Sequence, residues 1–100
     1  MDWNSLNNSA IIEEIGKRVR TYRLRKKITQ QELADRAGIS LYTVAQIEQG
    51  KSVSLSMFIP VLRVLRLLDN LELLLPEIGP SPVEMIKQKG KIPQRIRPQK

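Results

Sequence analysis

The sequence predicts an all-α protein in which five helices form one domain, followed by a short C-terminal helix and a basic tail. Apolar residues recur at spacings of three and four over the first 75 residues, the period of an amphipathic helix. No run of alternating β-branched residues interrupts the pattern, and capping residues or glycines separate its segments. We therefore expect an N-terminal arm over residues 1–8, a helical domain over 9–76, and a C-terminal segment over 77–100.

The first helix is expected over residues 9–26. One apolar stripe marks the face that it buries: Ile11, Ile12, Ile15, Val19, Tyr22 and, less regularly, Leu24. Its second half carries a basic run without any acid: Lys17, Arg18, Arg20, Arg23, Arg25, Lys26 and Lys27. Before it, Trp3 and Leu6 lie in an Asn/Ser-rich arm. We expect this arm to fold back on the domain, the alternative being that it covers a partner.

Two short helices are expected next, over residues 30–37 and 41–48. A hydroxyl at the start of a helix and a glutamate three residues later can satisfy each other's backbone N–H groups, and glycine ends helices in a left-handed conformation. The residues that match these signals are Thr29 with Glu32, Gly38, Ser40 and Gly50. The expected buried positions are Leu33, Ala34, Ala37, Val44 and Ile47.

The fourth and fifth helices are expected over residues 55–68 and 70–75. Proline inside a helix removes one backbone hydrogen bond, so we expect the fourth helix to start after Ser54 with an irregularity at Pro60. The alternative is a later start that places this proline in the first turn. Asp69-Asn70-Leu71-Glu72 matches a second capping box. Farther on, a proline in a first-turn position predicts a short helix over residues 82–88, and residues 89–100 are expected to be a disordered tail.

Composition narrows the classes of function. The chain has 17 basic and 10 acidic residues, a net charge of +7, and neither histidine nor cysteine. Six of the basic residues lie in residues 87–100, which contain no acid. Two basic blocks on an otherwise nearly neutral chain favour a polyanionic partner, although solvated surface charge is the alternative. Without histidine or cysteine, and without a glycine-rich loop beside a nucleophile, we expect no enzyme, no metal site and no cofactor.

The location of the protein is also predicted from composition. No apolar segment is long enough to cross a membrane, because charged residues and Pro60 interrupt the leucine-rich region 55–75. The first ten residues lack the basic-then-apolar order of a secretion signal. We therefore expect a cytoplasmic protein without a membrane partner.

Two short helices joined by Ala37-Gly38-Ile39 after a basic helix are the parts of a DNA-binding helix-turn-helix. The segment from Thr29 to Gly50, with TQQELA, AGIS and IEQG in register, closely resembles the Xre/Cro-type (phage-repressor-like) helix-turn-helix family. The resemblance covers residues 15–75. It implies a five-helix repressor-like domain whose third helix enters the major groove of double-stranded DNA.

The resemblance also implies roles for individual residues. Gln30 matches a contact to a phosphate or flanking base, and Arg23 matches an ion-pair partner of Glu48 that also approaches the DNA backbone. Groove-facing positions and their neighbours correspond to Ser40, Leu41, Tyr42, Thr43, Ala45 and Gln46, and the backbone-contacting loop corresponds to Lys51 and Ser52.

The chemistry of these side chains differs from that of the family's glutamine-rich members. A glutamine such as Gln46 can pair with adenine through two hydrogen bonds, whereas Leu41 and Ala45 offer only apolar contact to a thymine methyl group. We therefore expect fewer direct base contacts than in those relatives and more dependence on DNA shape and phosphate contacts.

The segment between residues 55 and 75 contains more leucines than a small core can bury, which predicts an exposed apolar interface. We expect this interface to form a homodimer that binds a palindromic operator. We expect a transcriptional repressor. The alternative comes from a resemblance of the C-terminal end to HipB-like antitoxins, which repress their own operon and bind a HipA-type kinase toxin. A third interpretation is a protein-interaction module that has lost DNA binding.

Overall fold

A computed structural model describes residues 1–79, which are entirely helical apart from turns and loops. The α-helices are α1 (Asn8–Arg25), α2 (Gln30–Ala37), α3 (Leu41–Glu48), α4 (Leu55–Val64) and α5 (Leu71–Leu74). Two 3-10 turns, Trp3–Ser5 and Leu68–Asn70, precede α1 and α5. The all-α prediction is confirmed for this part of the chain, where no helix is long and apolar enough to cross a membrane. The helix expected over 82–88 and the tail over 89–100 lie outside the described residues.

The core lies where α1 and α2 meet α3 and α4. α1 packs against α3, and α2 packs against both α3 and α4. The buried apolar residues are Val19, Ile28, Leu33, Ala34, Val44, Ile47, Val61 and Leu65. The sequence prediction is confirmed for four of its five buried positions in α2 and α3, whereas Ala37 is only partly buried against the core.

The face that α1 buries differs from the predicted stripe. Tyr22 is 43% exposed and Leu24 is also exposed, whereas Gly16, Val19 and Arg23 are buried. The prediction for Tyr22 and Leu24 was wrong because it assigned the inner face to apolar residues only. Here the helix turns a glycine and an arginine inward, which rotates those two side chains to the edge of the buried face.

Gly16 allows α1 and α3 to approach closely. A Cβ atom at this position would overlap the carbonyl oxygen of Ile47 and would lie only 3.2 Å from the backbone nitrogen of Gly50. The backbone of α1 therefore rests directly on the C-terminal end of α3. Nothing in the local sequence of α1 signals this contact, because a lone glycine in an amphipathic helix has several explanations.

The N-terminal arm folds back on α1, as expected. Asn7 caps α1 by accepting the N–H of Ala10 at 2.8 Å. The guanidinium carbon of Arg18 lies 4.7 Å from the centre of the Trp3 ring, a cation–π contact. The aromatic side chain therefore attaches the arm to the outer surface of the first helix.

The capping box that begins α2 forms as predicted. Thr29 Oγ1 accepts the N–H of Glu32 at 3.0 Å, and the Glu32 carboxylate accepts the N–H of Thr29 at 3.0 Å. The hydrogen bond from the backbone of Thr29 is the main cause that lowers the pKa of Glu32. Because the pKa of Glu32 is lower in the folded than in the unfolded protein, the hydrogen bonds of its carboxylate stabilise the fold at pH values above the unfolded-state pKa. This stabilisation is lost as the pH falls through the folded-state pKa.

The second predicted capping box does not form. Neither Asp69 nor Asn70 makes a side-chain cap, and the Glu72 carboxylate instead accepts the N–H of Glu77 at 3.2 Å. The final helix is shorter than predicted, with four residues in α5. The pattern was misleading because residues 68–70 form a 3-10 turn that runs directly into α5, so no extended residue is present to act as a cap.

The fourth helix begins where expected but ends at Val64, four residues early. Pro60 lies inside it, as the sequence predicts. After its end, the N–H of Leu67 donates to the carbonyl of Leu62 at 2.9 Å, and that of Arg66 donates to Arg63 at 3.2 Å. These two bonds define a Schellman motif, in which the residue after the cap is left-handed. The turn permits Leu65 to be buried and redirects the chain into α5.

The same pair of hydrogen bonds ends each of α1 to α4. After α2 and α3 the left-handed residue is glycine, as predicted, with φ +71° at Gly38 and +81° at Gly50. After α1 and α4 it is Lys27 and Arg66, with φ +57° and +60°. A side chain at such a position crowds the backbone, so two of the four helix ends carry local strain.

Replacing Arg66 by glycine is therefore expected to stabilise the protein by about 0.5–1 kcal/mol. Glycine removes the strain of a side chain in the left-handed conformation, which stabilises the folded protein. Part of this gain is offset because glycine also raises the conformational entropy of the unfolded chain. Urea unfolding followed by circular dichroism measures it. Arg63→Gly, in the last turn of α4, is the control and should destabilise the protein by about 1 kcal/mol. Equal destabilisation by the two variants would contradict the assignment.

Candidate nucleic-acid interface

The helix pair α2–α3 is held by its inner face, which leaves the outer face of α3 free. The left-handed Gly38 turns the chain between the helices, and the N–H of Ile39 closes the turn on the carbonyl of Ala34 at 3.1 Å. Leu33, Ala34 and Val44 are completely buried between the helices and the core. The opposite side of α3 carries the predicted groove-facing residues.

Two of those residues are linked on the exposed face of α3. Tyr42 is 69% exposed, and its hydroxyl oxygen accepts a hydrogen bond from Gln46 Nε2 at 3.2 Å. This bond uses one N–H of the glutamine amide. Among the hydrogen bonds of residues 1–79, the amide oxygen, the second N–H and the hydroxyl proton of the tyrosine have no other partner, so the pair presents one acceptor and two donors to a ligand.

The first turn of α3 combines polar and apolar groups. Ser40 caps the helix by accepting the N–H of Thr43 at 3.0 Å, and the hydroxyl groups of these two residues lie 2.8 Å apart. Leu41 is exposed beside them, without a polar group of its own. The structure therefore places Leu41, Tyr42, Thr43 and Gln46 on α3, with Ser40 as its N-cap. The four polar side chains form two pairs, Ser40 with Thr43 and Tyr42 with Gln46.

Arg23 and Glu48 form the predicted ion pair in the interior. Arg23 Nε lies 2.7 Å from Glu48 Oε2, and Arg23 Nη2 lies 3.1 Å from Glu48 Oε1. Arg23 Nη1 donates to the carbonyl of Ile28 at 2.9 Å. The hydrogen bond to Glu48 raises the pKa of Arg23, so the arginine remains charged. The guanidinium group is thus engaged on all three nitrogens inside the protein.

Gln30 joins the same network. Its Nε2 donates to Glu48 Oε1 at 3.0 Å, so that one carboxylate binds side chains from α1 and from the first turn of α2. The family resemblance implied separate roles for Gln30 and Arg23, and no sequence signal indicated that Glu48 connects them. The network leaves the second amide N–H and the amide oxygen of Gln30 without a partner in the hydrogen bonds of the described residues.

The loop after α3 exposes Lys51 and Ser52. The N–H of Lys51 donates to the carbonyl of Gln46 at 3.0 Å, which completes the C-terminal end of α3 and fixes where the loop begins. The two salt bridges within residues 1–79 are Arg18–Glu14 and Arg23–Glu48, so the Lys51 ammonium group is in neither. Within the same residues, no group of acidic side chains is arranged to hold a metal ion.

Comparison with known proteins agrees with this arrangement. The model of a family described as helix-turn-helix matches residues 19–68, which span the C-terminal part of α1, all of α2 to α4, and the start of the following turn. No match was found among curated proteins. The matched segment contains the pair α2–α3, the network around Glu48 and the loop after α3. The chain therefore belongs to the Xre/Cro-type helix-turn-helix family, and it is a DNA-binding transcriptional regulator.

Proposed function

We propose that the protein is a sequence-specific repressor that binds a palindromic operator as a homodimer. The observation that carries the proposal is the hydrogen-bonded pair of Tyr42, which is exposed, and Gln46, which is partly exposed, on the outer face of α3. In a helix-turn-helix the second helix of the pair lies in the major groove, where each base pair presents its own pattern of donors and acceptors. A polar pair on that helix is therefore in the right place to distinguish sequences.

The hydrogen bond between Tyr42 and Gln46 favours adenine as the contacted base. It holds one amide N–H and leaves the amide oxygen and the other N–H free, which are the groups that pair with adenine N6 and N7. The hydroxyl proton of Tyr42 remains free for a base or phosphate oxygen. Leu41 would add apolar contact to a thymine methyl group, and Ala45 beside it is small enough to permit close approach.

Backbone contacts would come from the residues that flank α3. Gln30 at the start of α2, Ser40 and Thr43 at the start of α3, and Lys51 and Ser52 after it offer amide, hydroxyl and ammonium donors for phosphate oxygens. For Arg23 we propose a positioning role. Its guanidinium nitrogens are occupied by Glu48 and Ile28, and through Glu48 it fixes Gln30.

Gln46→Ala is expected to weaken binding by about 1–3 kcal/mol for each half-site, roughly fivefold to 150-fold in Kd per half-site, and to relax preference at one base pair of each half-site. Tyr42→Phe, which removes only the hydroxyl, is expected to cost less and to relax preference at that same base pair. The operator is first identified by selection from random duplexes. Binding is then measured by fluorescence anisotropy at fixed salt.

Gln31→Ala is the matched control. This glutamine is exposed on α2 and donates to Asp35 at 2.8 Å, so its surroundings carry a negative charge that disfavours phosphate. Its loss should leave operator affinity unchanged. If Gln46→Ala binds every sequence as the parent protein does, α3 does not determine specificity and the proposal is overturned.

The dimer part of the proposal is supported by the C-terminal end of the described chain. α5 packs mainly on the 3-10 turn before it, and Leu73, Leu74 and Leu75 are each more than 70% exposed. An apolar groove of about 300 Å³ lies beside them. It is lined mainly by Ile15, Val19, Tyr22, Phe58, Leu62, Leu67, Leu71 and Leu74. We call the three exposed leucines and this groove the leucine face.

Exposed apolar surface of this kind is typical of an interface, and one face that carries both a groove and protruding leucines suits a two-fold contact. A two-fold dimer would hold two copies of α3 about one turn of DNA apart, roughly 34–36 Å, on the two halves of a palindrome. A HipA-type kinase toxin is the other partner that the leucine face would accommodate, in the antitoxin alternative.

Leu74→Glu is expected to convert the dimer into a monomer and to weaken operator binding roughly 100-fold or more, because two linked half-sites become independent. Light scattering and anisotropy measure the two effects. Leu24→Glu changes an exposed leucine of α1 outside the leucine face and should remain dimeric. A parent protein that is monomeric both alone and on the operator would contradict the dimer and favour a different protein on this face.

A further inference from the structure

A second apolar cleft lies next to the loop that follows α3. It has a volume of about 220 Å³ and is lined by Ile12 and Ile15 of α1, Ile47 of α3, Leu55 and Phe58 of α4, and loop residues 51–53. We call it the loop cleft. A cavity of about 150 Å³ with similar aliphatic and aromatic walls is large enough to bind benzene. The loop cleft therefore has room for a small ring or a branched aliphatic group.

The polar groups at the loop cleft come from one short segment. The lining includes Lys51 and Ser52, whereas all of the other lining side chains are aliphatic or aromatic. Neither of the two salt bridges in residues 1–79 involves Lys51. An apolar cleft lined in part by a lysine that has no carboxylate partner within residues 1–79 suits a ligand with an apolar body and one negative charge.

We propose that the loop cleft binds a small apolar carboxylic acid and that this ligand weakens DNA binding. The apolar body would occupy the space between Ile12, Ile47 and Phe58, and the carboxylate would pair with Lys51. Ser52 offers a hydroxyl donor beside it. The inference rests on the proposed function in one respect, since it takes Lys51 to be a contact to a DNA phosphate.

Competition for Lys51 provides the coupling. One ammonium group cannot serve both a ligand carboxylate and a phosphate oxygen at full strength, and coupling between two ligands is reciprocal. The loop cleft also contacts the end of α3, because Ile47 lines it and the N–H of Lys51 bonds to Gln46. A ligand in the loop cleft therefore acts on the segment that joins the base-contacting helix to the phosphate-contacting loop.

Sodium benzoate is the probe, because its ring fits the loop cleft and its charge matches Lys51. Binding to the full chain without DNA is followed by backbone amide NMR at millimolar concentrations. Shifts are expected at residues 51–58 and around Ile12 and Ile47. DNA binding is then measured at several concentrations of salt, with total ionic strength matched by sodium chloride.

Saturating benzoate is expected to reduce the slope of log K against log salt by about 0.9 for each protomer, or about 1.8 for the proposed dimer, because each Lys51 loses one phosphate contact. Lys51→Gln should show that reduced slope without benzoate and no further change with it. Ile12→Phe fills the loop cleft without touching the leucine groove, so it should lose benzoate binding while its salt slope stays that of the parent. Benzamide has the same shape without the charge and should leave the slope unchanged.

The two parts of the inference fail in different ways. If benzoate shifts no amide around the loop cleft, the site is overturned, whatever happens with DNA. If benzoate binds there but leaves the salt slope unchanged, the coupling through Lys51 is overturned. A protein that bound benzoate but no DNA at all would instead contradict the proposed function, since the first measurement contains no DNA.

Discussion

Replacing Glu48 by alanine is expected to reduce the free energy of unfolding by about 3–5 kcal/mol, because it leaves the buried guanidinium group of Arg23 without a counter-charge. Two hydrogen bonds to Arg23 and one to Gln30 would be lost together. The remaining bond from Arg23 to the carbonyl of Ile28 does not neutralise the charge. Urea unfolding followed by circular dichroism measures the loss.

The exposed ion pair of Arg18 and Glu14 is the matched control. The distance from Nε to Oε2 is similar in the two pairs, 3.0 Å for Arg18–Glu14 and 2.7 Å for Arg23–Glu48. The exposure differs: the side chains of Arg18 and Glu14 are 49% and 22% exposed, whereas those of Arg23 and Glu48 are 9% and 4% exposed. Glu14→Ala should therefore cost no more than about 0.5 kcal/mol. Similar losses for Glu14→Ala and Glu48→Ala would show that burial does not determine the strength of these pairs.

A double variant tests the physical reason directly. Arg23→Met with Glu48→Leu replaces both charges by apolar groups of similar volume, and buried pairs replaced in this way are often near neutral in stability. We expect it to be clearly more stable than Glu48→Ala, although Gln30 loses a partner in both. If Glu48→Ala does not fold, the double variant still reports on the pair. A double variant as unstable as Glu48→Ala would mean that the unpaired charge is not the cause.

Gly16→Ala is expected to destabilise the protein by about 3 kcal/mol or more. This is the opposite of the stabilisation that replacing glycine by alanine usually gives within a helix. In an exposed helix interior, alanine is favoured over glycine by about 1 kcal/mol. Here the new Cβ would overlap the carbonyl oxygen of Ile47 and press against the backbone of Gly50. Since backbone atoms cannot rotate away as side chains do, α1 and α3 would have to separate.

Thermal unfolding of Gly16→Ala, compared with Lys17→Ala, measures this effect. Lys17 is the exposed neighbour on the same helix, and its substitution is expected to change stability by no more than about 0.5 kcal/mol. The same carbonyl of Ile47 accepts the N–H of Gly50 at the end of α3, so Gly16→Ala should also disturb the loop that carries Lys51. A stabilised Gly16→Ala protein would contradict the close approach.

The short helices could be predicted from the sequence because their limits depend on neighbouring residues. Thr29 with Glu32 begins α2, Gly38 ends it, and Ser40 begins α3, each through bonds that span no more than five residues. The predicted bounds of α2 and α3 are the observed ones. The family match at residues 19–68 contains all of these local signals.

The errors arose where distant parts of the chain compete with local preference. The apolar pattern predicts that the fourth helix continues to residue 68. In the structure the chain instead turns at Arg66 and buries Leu65. The Asp69–Glu72 pattern matches a capping box, but the residues that should cap α5 are already helical. A pattern of residue types cannot show which neighbouring segment occupies the space around it.

The sequence by itself determined the class of fold, the limits of α2 and α3, and the assignment to a family of DNA-binding regulators. Only the tertiary structure decided how the side chains are used. It connects Arg23, Gln30 and Glu48 across up to 25 positions, and it brings the backbone of Gly16 onto the end of α3. Helix limits depend on hydrogen bonds between residues close in sequence. The partners of a buried carboxylate can come from any part of the chain, and the tertiary packing determines which of them lie within reach.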